Sequence, residues 1–173
     1  MSLNLLTRYG LTRSAGAAPV TCETYGVTTV GSVSSTNTSA NPLNIYEANA
    51  ALSVCALRVY VPGALGDCDL SLWLLDGSTW TETTTSDTFS DATTGAHWSE
   101  QSITPTNVAS GQRFAVMLRR SGSLNVYRNT SMPGAFVFDS NVSFVSGSTS
   151  ASSPAGSTST TQWCGTDCKF GVA

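Results

Sequence analysis

The stretch Asp69-Leu-Ser-Leu-Trp-Leu-Leu-Asp-Gly-Ser-Thr-Trp-Thr-Glu-Thr-Thr-Thr85 decides the fold class. In its first half Leu70, Leu72 and Leu74 fall on one side of an extended chain, with Ser71, Trp73 and Leu75 on the other. That two-residue period belongs to a strand with one face on a core. Asp76-Gly77-Ser78 then supplies turn chemistry, and the β-branched run Thr79–Thr85 returns as the second strand of a hairpin. Upstream, Leu52–Val61 (LSVCALRVYV) is a strong strand that stops at Pro62-Gly63; downstream, Arg113–Arg119 puts Phe114, Val116 and Leu118 on one face. Tyr25–Val33, Leu43–Tyr46, Ala96–Ile103, Leu124–Tyr127, Ala135–Phe138 and Val142–Val145 are further strand candidates, with Thr104-Pro105 and Ser110-Gly111 bounding a connection after Ile103. No window of about 11–18 residues sustains an apolar helical repeat, so the crossover helices of a parallel sheet are missing. The expected fold is all-β: an antiparallel β-sandwich, jelly-roll-like, with an N-terminal arm and a Ser/Thr-rich C-terminal tract.

Ser and Thr supply 50 of the 173 residues while charged residues make up only 11%, so the surface meets water through hydroxyls and amides. Eight basic residues against eleven acidic ones give a net charge of −3, which argues against a phosphate-neutralising groove and hence against a nucleic-acid partner. No run approaches the ~18 consecutive apolar residues of a membrane span. The chain divides into an arm over 1–21, a sandwich over 22–145, and a Ser/Thr-rich tract with a closing segment over 146–173. Residues 146–161 hold 11 Ser or Thr among 16, the composition of a tether or an extended crossing strand, and Trp163 and Phe170 then give the closing segment something to bury. In the arm, Asn4, Thr7 and Arg8 interrupt the apolar run a secretory signal needs. Leu3, Leu5, Leu6, Arg8 and Tyr9 instead make it a candidate partner-binding arm that orders on a neighbouring subunit.

Residues able to do chemistry are few. His97 is the one imidazole, and no nucleophile elbow, zinc-protease or phosphate-loop motif occurs, so no catalytic residue is assigned and an enzyme is not expected. The carboxylates have no spacing that fixes a glycosidase pair. Asp67-Cys68-Asp69 reads as a solvated turn sooner than as half of a calcium cage, and neither a metal nor a cofactor is expected. Cysteines 22, 55, 68, 164 and 168 are odd in number, so at least one stays unpaired within the chain. The spacing of Cys164 and Cys168 fits a small disulfide loop, two separate thiols, or half a metal site, and Cys55 sits in an apolar run suited to plain burial. Flat rings suit sugar contact on a sandwich: Trp80, just past the turn, and Trp98 are the candidate glycan contacts, whereas Trp73 among leucines reads as core.

Ala56-Leu-Arg-Val-Tyr60, Leu70-Ser-Leu-Trp-Leu-Leu-Asp-Gly77, His97-Trp98 and Ala109-Ser-Gly-Gln-Arg-Phe114 follow one another in an order that resembles a family of small β-sandwich domains of unknown function. That family occurs in secreted surface proteins and in phage virions. The resemblance spans roughly residues 25–145. It implies a non-enzymatic virion structural protein of a bacteriophage, either capsid decoration or a minor tail component, located in the virion. Its partners would be a capsid or tail protein and further copies of itself. The alternative it leaves is a carbohydrate-binding adhesin or receptor-binding module that meets a host-surface glycan.

Overall fold

The computed structural model describes residues 20–38, 41–120, 124–132 and 134–173. They form β1 (Thr24–Tyr25), β2 (Val27–Thr29), β3 (Ser34–Thr38), β4 (Asn41–Ala48), β5 (Leu52–Val61), β6 (Leu65–Asp76), β7 (Thr79–Thr85), β8 (Phe89–Asp91), β9 (His97–Val108), β10 (Arg113–Arg120), β11 (Leu124–Arg128), β12 (Val137–Phe138), β13 (Val142–Ala151) and β14 (Thr166–Val172). One sheet runs in the order β1-β14-β5-β9; a larger one runs β13-β4-β10-β6-β7, with β8 also on β6. Two short pairs, β11-β3 and β12-β2, complete the structure, and all of these pairings are antiparallel.

The chain moves repeatedly between the layers, with β4 in the larger sheet, β5 in the smaller, β6 to β8 in the larger, β9 in the smaller, β10 and β13 in the larger and β14 in the smaller. The reason lies in the inward-facing residues. Leu57, Val59 and Val61 of β5 and Phe170 of β14 meet Tyr46 of β4, Leu70 and Leu72 of β6, and Phe114, Val116 and Leu118 of β10 in one fully buried cluster. Neither sheet can shield that apolar side alone, and packing face to face removes both from water. The domain is thus an all-β sandwich of antiparallel sheets.

The hairpin forms where the alternation requires it. Asp76 pairs with Thr79, and Gly77 takes the first central position of the two-residue loop with φ of +58°, which residues bearing a Cβ seldom adopt. Elsewhere the strands depart from the sequence pattern for identifiable reasons. Tyr25–Val33 breaks into β1 and β2 at Gly26, where a Cβ would collide with Oδ1 of Asp167. The expected connection at Thr104-Pro105 lies within β9, an edge strand, at a register shift opposite the Val54–Ala56 segment of β5. A proline is tolerated there because an edge strand has backbone groups with no partner to lose. The Ser/Thr-rich tract is no tether in its first half, since β13 pairs along β4 through Ser148 and Gly147 bridges Ser159 on its other side.

A buried polar stitch joins the layers. Asn44 of β4 accepts from the Cys164 amide at 2.8 Å through Oδ1 and donates to the Thr166 carbonyl at 2.7 Å through Nδ2. The Tyr46 hydroxyl donates to the same carbonyl at 2.7 Å. Backbone groups that enter the interior ahead of β14 thereby keep their hydrogen bonds, which an apolar surround would otherwise leave unmade.

Candidate functional site

The outer faces of the two sheets differ, and the difference locates the candidate site. On the smaller sheet the outer face is roofed. Arg58 of β5 donates to Oδ2 of Asp167 from Nε at 2.9 Å and from Nη2 at 2.7 Å, and Nη2 also donates to the Val27 carbonyl at 2.6 Å. The Val27 amide reaches the same Oδ2 at 3.0 Å. The guanidinium is clamped between two rings, 3.9 Å from the centre of Tyr25 and 3.8 Å from that of Trp98. Burial raises the Asp167 carboxyl above its ordinary range against the opposing pull of Arg58 and the Val27 amide. Around this pair Val27, Met132, Phe136 and Trp163 form a second apolar cluster with Tyr60 and Trp98, and Tyr127 of β11 stacks on Tyr60 at 4.9 Å. Trp98 is therefore a structural wall, with Arg58 over its face and Trp163 against its edge at 6.2 Å.

The outer face of the larger sheet has no such roof among the described residues: no described strand lies across it. Register fixes its membership. Leu43 pairs with Met117, which pairs with Ser71; Ile45 pairs with Ala115, which pairs with Trp73; Trp73 pairs with Glu82 and Leu75 with Trp80. Directly paired residues share a face. Leu43, Ile45, Ala115 and Met117 are buried, and Trp73, Trp80 and Val145 pack on them as a partly buried outermost layer. Trp73 and Trp80 occupy diagonal positions of neighbouring strands, about 7–8 Å apart by antiparallel geometry. The Trp73 indole N–H is spent on the Ser71 hydroxyl at 2.9 Å, so this side chain offers a partner its ring and not its donor.

Polar groups flank the rings. Arg119 of β10 donates from Nε to Oδ1 of Asp69 at 2.7 Å, from Nη1 to Oε2 of Glu82 at 3.0 Å, and from Nη2 to the Thr85 hydroxyl at 3.3 Å. Thr85 in turn donates to the second oxygen of Glu82. At the opposite rim Arg113 pairs with Glu47 at 3.1 Å. The face thus has an apolar, aromatic centre flanked at two rims by ordered hydrogen-bonding groups.

The remaining sequence candidates fall elsewhere. The Nδ1 of His97 lies 2.9 Å from the Gly95 carbonyl and its Nε2 lies 3.0 Å from Oδ2 of Asp91, so both ring nitrogens are engaged within the β8–β9 connection. Asp91 is held well below the usual carboxylate range by hydrogen bonds from the Thr93 hydroxyl and amide, with Ser99 and His97 adding to them. Cys164 and Cys168 form no disulfide; both are free and buried, as is Cys68. The bond joins Cys22 to Cys55 across a Cα–Cα distance of 6.4 Å. Cys55 stands at the register shift of β5 and is only partly buried, which brings its sulfur within reach of the segment before β1. Cys164 belongs to the inter-sheet stitch and Cys168 to the core, so neither is free to approach the other. Leu3, Leu5, Leu6, Arg8 and Tyr9 lie outside the described residues. Trp73, expected in the core, is on the outer face instead. The alternation had already put it opposite Leu72 and Leu74, which was the signal for this position.

No family model matches the chain, and no curated protein matches it. The expectation of a bacteriophage virion protein, as capsid decoration or tail component, is therefore withdrawn. The fragments that carried that resemblance are strand alternation, a Gly-containing hairpin loop and a turn into a strand, which any antiparallel sandwich of this size needs.

Proposed function

We propose that this domain is a non-enzymatic carbohydrate-binding module, of adhesin or receptor-binding type, whose ligand surface is the outer face of the larger sheet. The observation that carries the reading is the pair Trp73 and Trp80, partly buried at diagonal positions on the sheet face that no described strand crosses and underpinned by Leu43, Ile45, Ala115 and Met117. Rings held on a rigid sheet present flat apolar surface to the C–H face of a sugar with little ordering cost, while Arg119, Asp69 and Glu82 offer hydrogen bonds to hydroxyls. The Cys22–Cys55 disulfide favours an oxidising setting such as a cell surface. The alternation of strands between layers is consistent with a jelly-roll-like topology.

The test is binding to host-surface polysaccharide preparations by the wild-type protein, Trp80→Ala and Trp73→Ala, each checked for native far-ultraviolet dichroism. Losing a ring contact is worth about 1.5–3 kcal/mol, so Trp80→Ala is expected to weaken binding about 10- to 100-fold. Undiminished binding by both variants would reject the face.

A further inference from the structure

We infer that the ligand of this face is an uncharged glycan and that the Arg119 network selects against acidic ones; the inference rests on the carbohydrate-binding reading. An acidic sugar is normally captured by a guanidinium presenting two parallel N–H groups to its carboxylate. At one rim of this face the Arg119 guanidinium already has three of its five N–H groups engaged. Arg119 spends Nε on Asp69, Nη1 on Glu82 and Nη2 on Thr85, and the hydroxyl of Thr85 fixes the other oxygen of Glu82. The second arginine of the face, Arg113, pairs with Glu47 at the far rim. The two arginines thus stand against three carboxylates, Glu47, Asp69 and Glu82, leaving one negative charge in excess.

An incoming carboxylate would meet Glu82 directly across the strand pair from Trp73, where the ring would seat the sugar. It would find no paired donors and would pay like-charge repulsion in a place partly shielded from water. A hydroxyl has no such conflict. It can donate to a carboxylate oxygen and accept from a guanidinium N–H at once, which suits a rim built from both. Glu82 is accordingly a specificity-determining residue: it both repels an acidic ligand and occupies the donor such a ligand would use.

Affinity gel electrophoresis of the full chain tests this with four soluble probes, hydroxyethylcellulose and galactomannan as neutral polymers, polygalacturonate and hyaluronan as acidic ones, at low and high salt. At least one neutral polymer should retard the protein, with an apparent dissociation constant at least about tenfold below that of either acidic polymer, and with little change on adding salt because no ion pair forms. Glu82→Gln should narrow the gap to about threefold or less by improving acidic binding. Preference of the wild-type protein for an acidic polymer would overturn the inference while leaving the binding face in place, and this comparison needs no variant. Retardation by none of the four probes, together with binding to surface polysaccharide that is indifferent to Trp80→Ala, would overturn the carbohydrate reading itself. Trp80 becoming accessible to a fluorescence quencher only after removal of residues 1–19 would assign the face to the chain's own arm and overturn both.

Discussion

Replacing Arg58 by Met tests the account of the smaller sheet most severely. Arg58 is 6% exposed and Asp167 not exposed at all, so the substitution strands a carboxylate in the interior with only the Val27 and Cys168 backbone amides left to it. Breaking a buried ion pair on one side costs about 3–5 kcal/mol. The clamped guanidinium also gives up two desolvated ring contacts worth up to about 2 kcal/mol each, though the Met stem refills part of that space. A net loss of about 4–5 kcal/mol is expected, comparable to the whole stability of a marginal domain, about 5–15 kcal/mol. With a urea m-value of about 2 kcal/mol/M, the midpoint should fall by about 2 M. The double variant Arg58→Met/Asp167→Leu removes both charges and should return to within about 1.5 kcal/mol of wild type, a recovery of about 3 kcal/mol over Arg58→Met alone. A loss below about 1 kcal/mol in the single variant, or a double variant as unstable as the two singles summed, would refute the pair as the organiser of this face.

Other consequences follow from the same geometry. Replacing Cys22 and Cys55 together by Ala opens a covalent loop with a sequence separation of 33, which chain-entropy reasoning values at about 3–4 kcal/mol; urea titration of the variant and of the reduced wild type should agree, and equal stability of variant and oxidised wild type would contradict the bond. Burial pushes the Cys68 thiol up to about 11 and the Cys164 thiol up to about 12, with Cys168 well above its ordinary value. At pH 8 all three are protonated, so the native protein should give no fast reaction with an aromatic disulfide and release three thiols only on unfolding; one rapid equivalent per folded chain would show a sulfur open to solvent. At Gly147 a Cβ would press on the Gln162 carbonyl and on Oδ1 of Asn44. Gly147→Ala should therefore cost about 2–4 kcal/mol by thermal melting, more than an exposed Gly77→Ala would through its turn alone.

What could be read from the sequence was what neighbouring residues decide. The alternation of Leu70, Leu72 and Leu74 and the Gly77 loop specify a hairpin locally, and the structure has that hairpin. The same alternation already set Trp73 opposite the leucines, but hydrophobicity by itself argued for the core, and only the absence of a described layer above the face makes it a surface residue. Pairings across long sequence separations carried no local signal. Arg58 and Asp167 stand 109 residues apart, and neither has a neighbour that marks it as one half of an ion pair. The cysteines show the same limit: the spacing of Cys164 and Cys168 left a disulfide, two thiols and half a metal site open, of which the structure has the two thiols, while nothing local marked Cys22 and Cys55, which a register shift in β5 and the path of the segment before β1 bring together. Of the two candidate glycan residues, Trp80 reaches the outer face of the larger sheet because the hairpin register takes it there, whereas Trp98 is claimed by a guanidinium from the neighbouring strand.

The position of β14 has a bearing on how the protein is made. It follows every other described strand in chain order, yet it lies between β1 and β5 inside the smaller sheet and fills the core with Phe170. While the chain is being synthesised, β5 and β9 can pair, but one long edge of β5 stays open and the inner side of the larger sheet stays partly uncovered. The sandwich can close only once β14 has left the ribosome. Before that moment the nascent chain displays an unpaired strand edge beside an apolar surface, the kind of intermediate that aggregates or recruits a chaperone. Shortening the chain within Thr166–Val172 should consequently produce insoluble protein sooner than a smaller soluble domain.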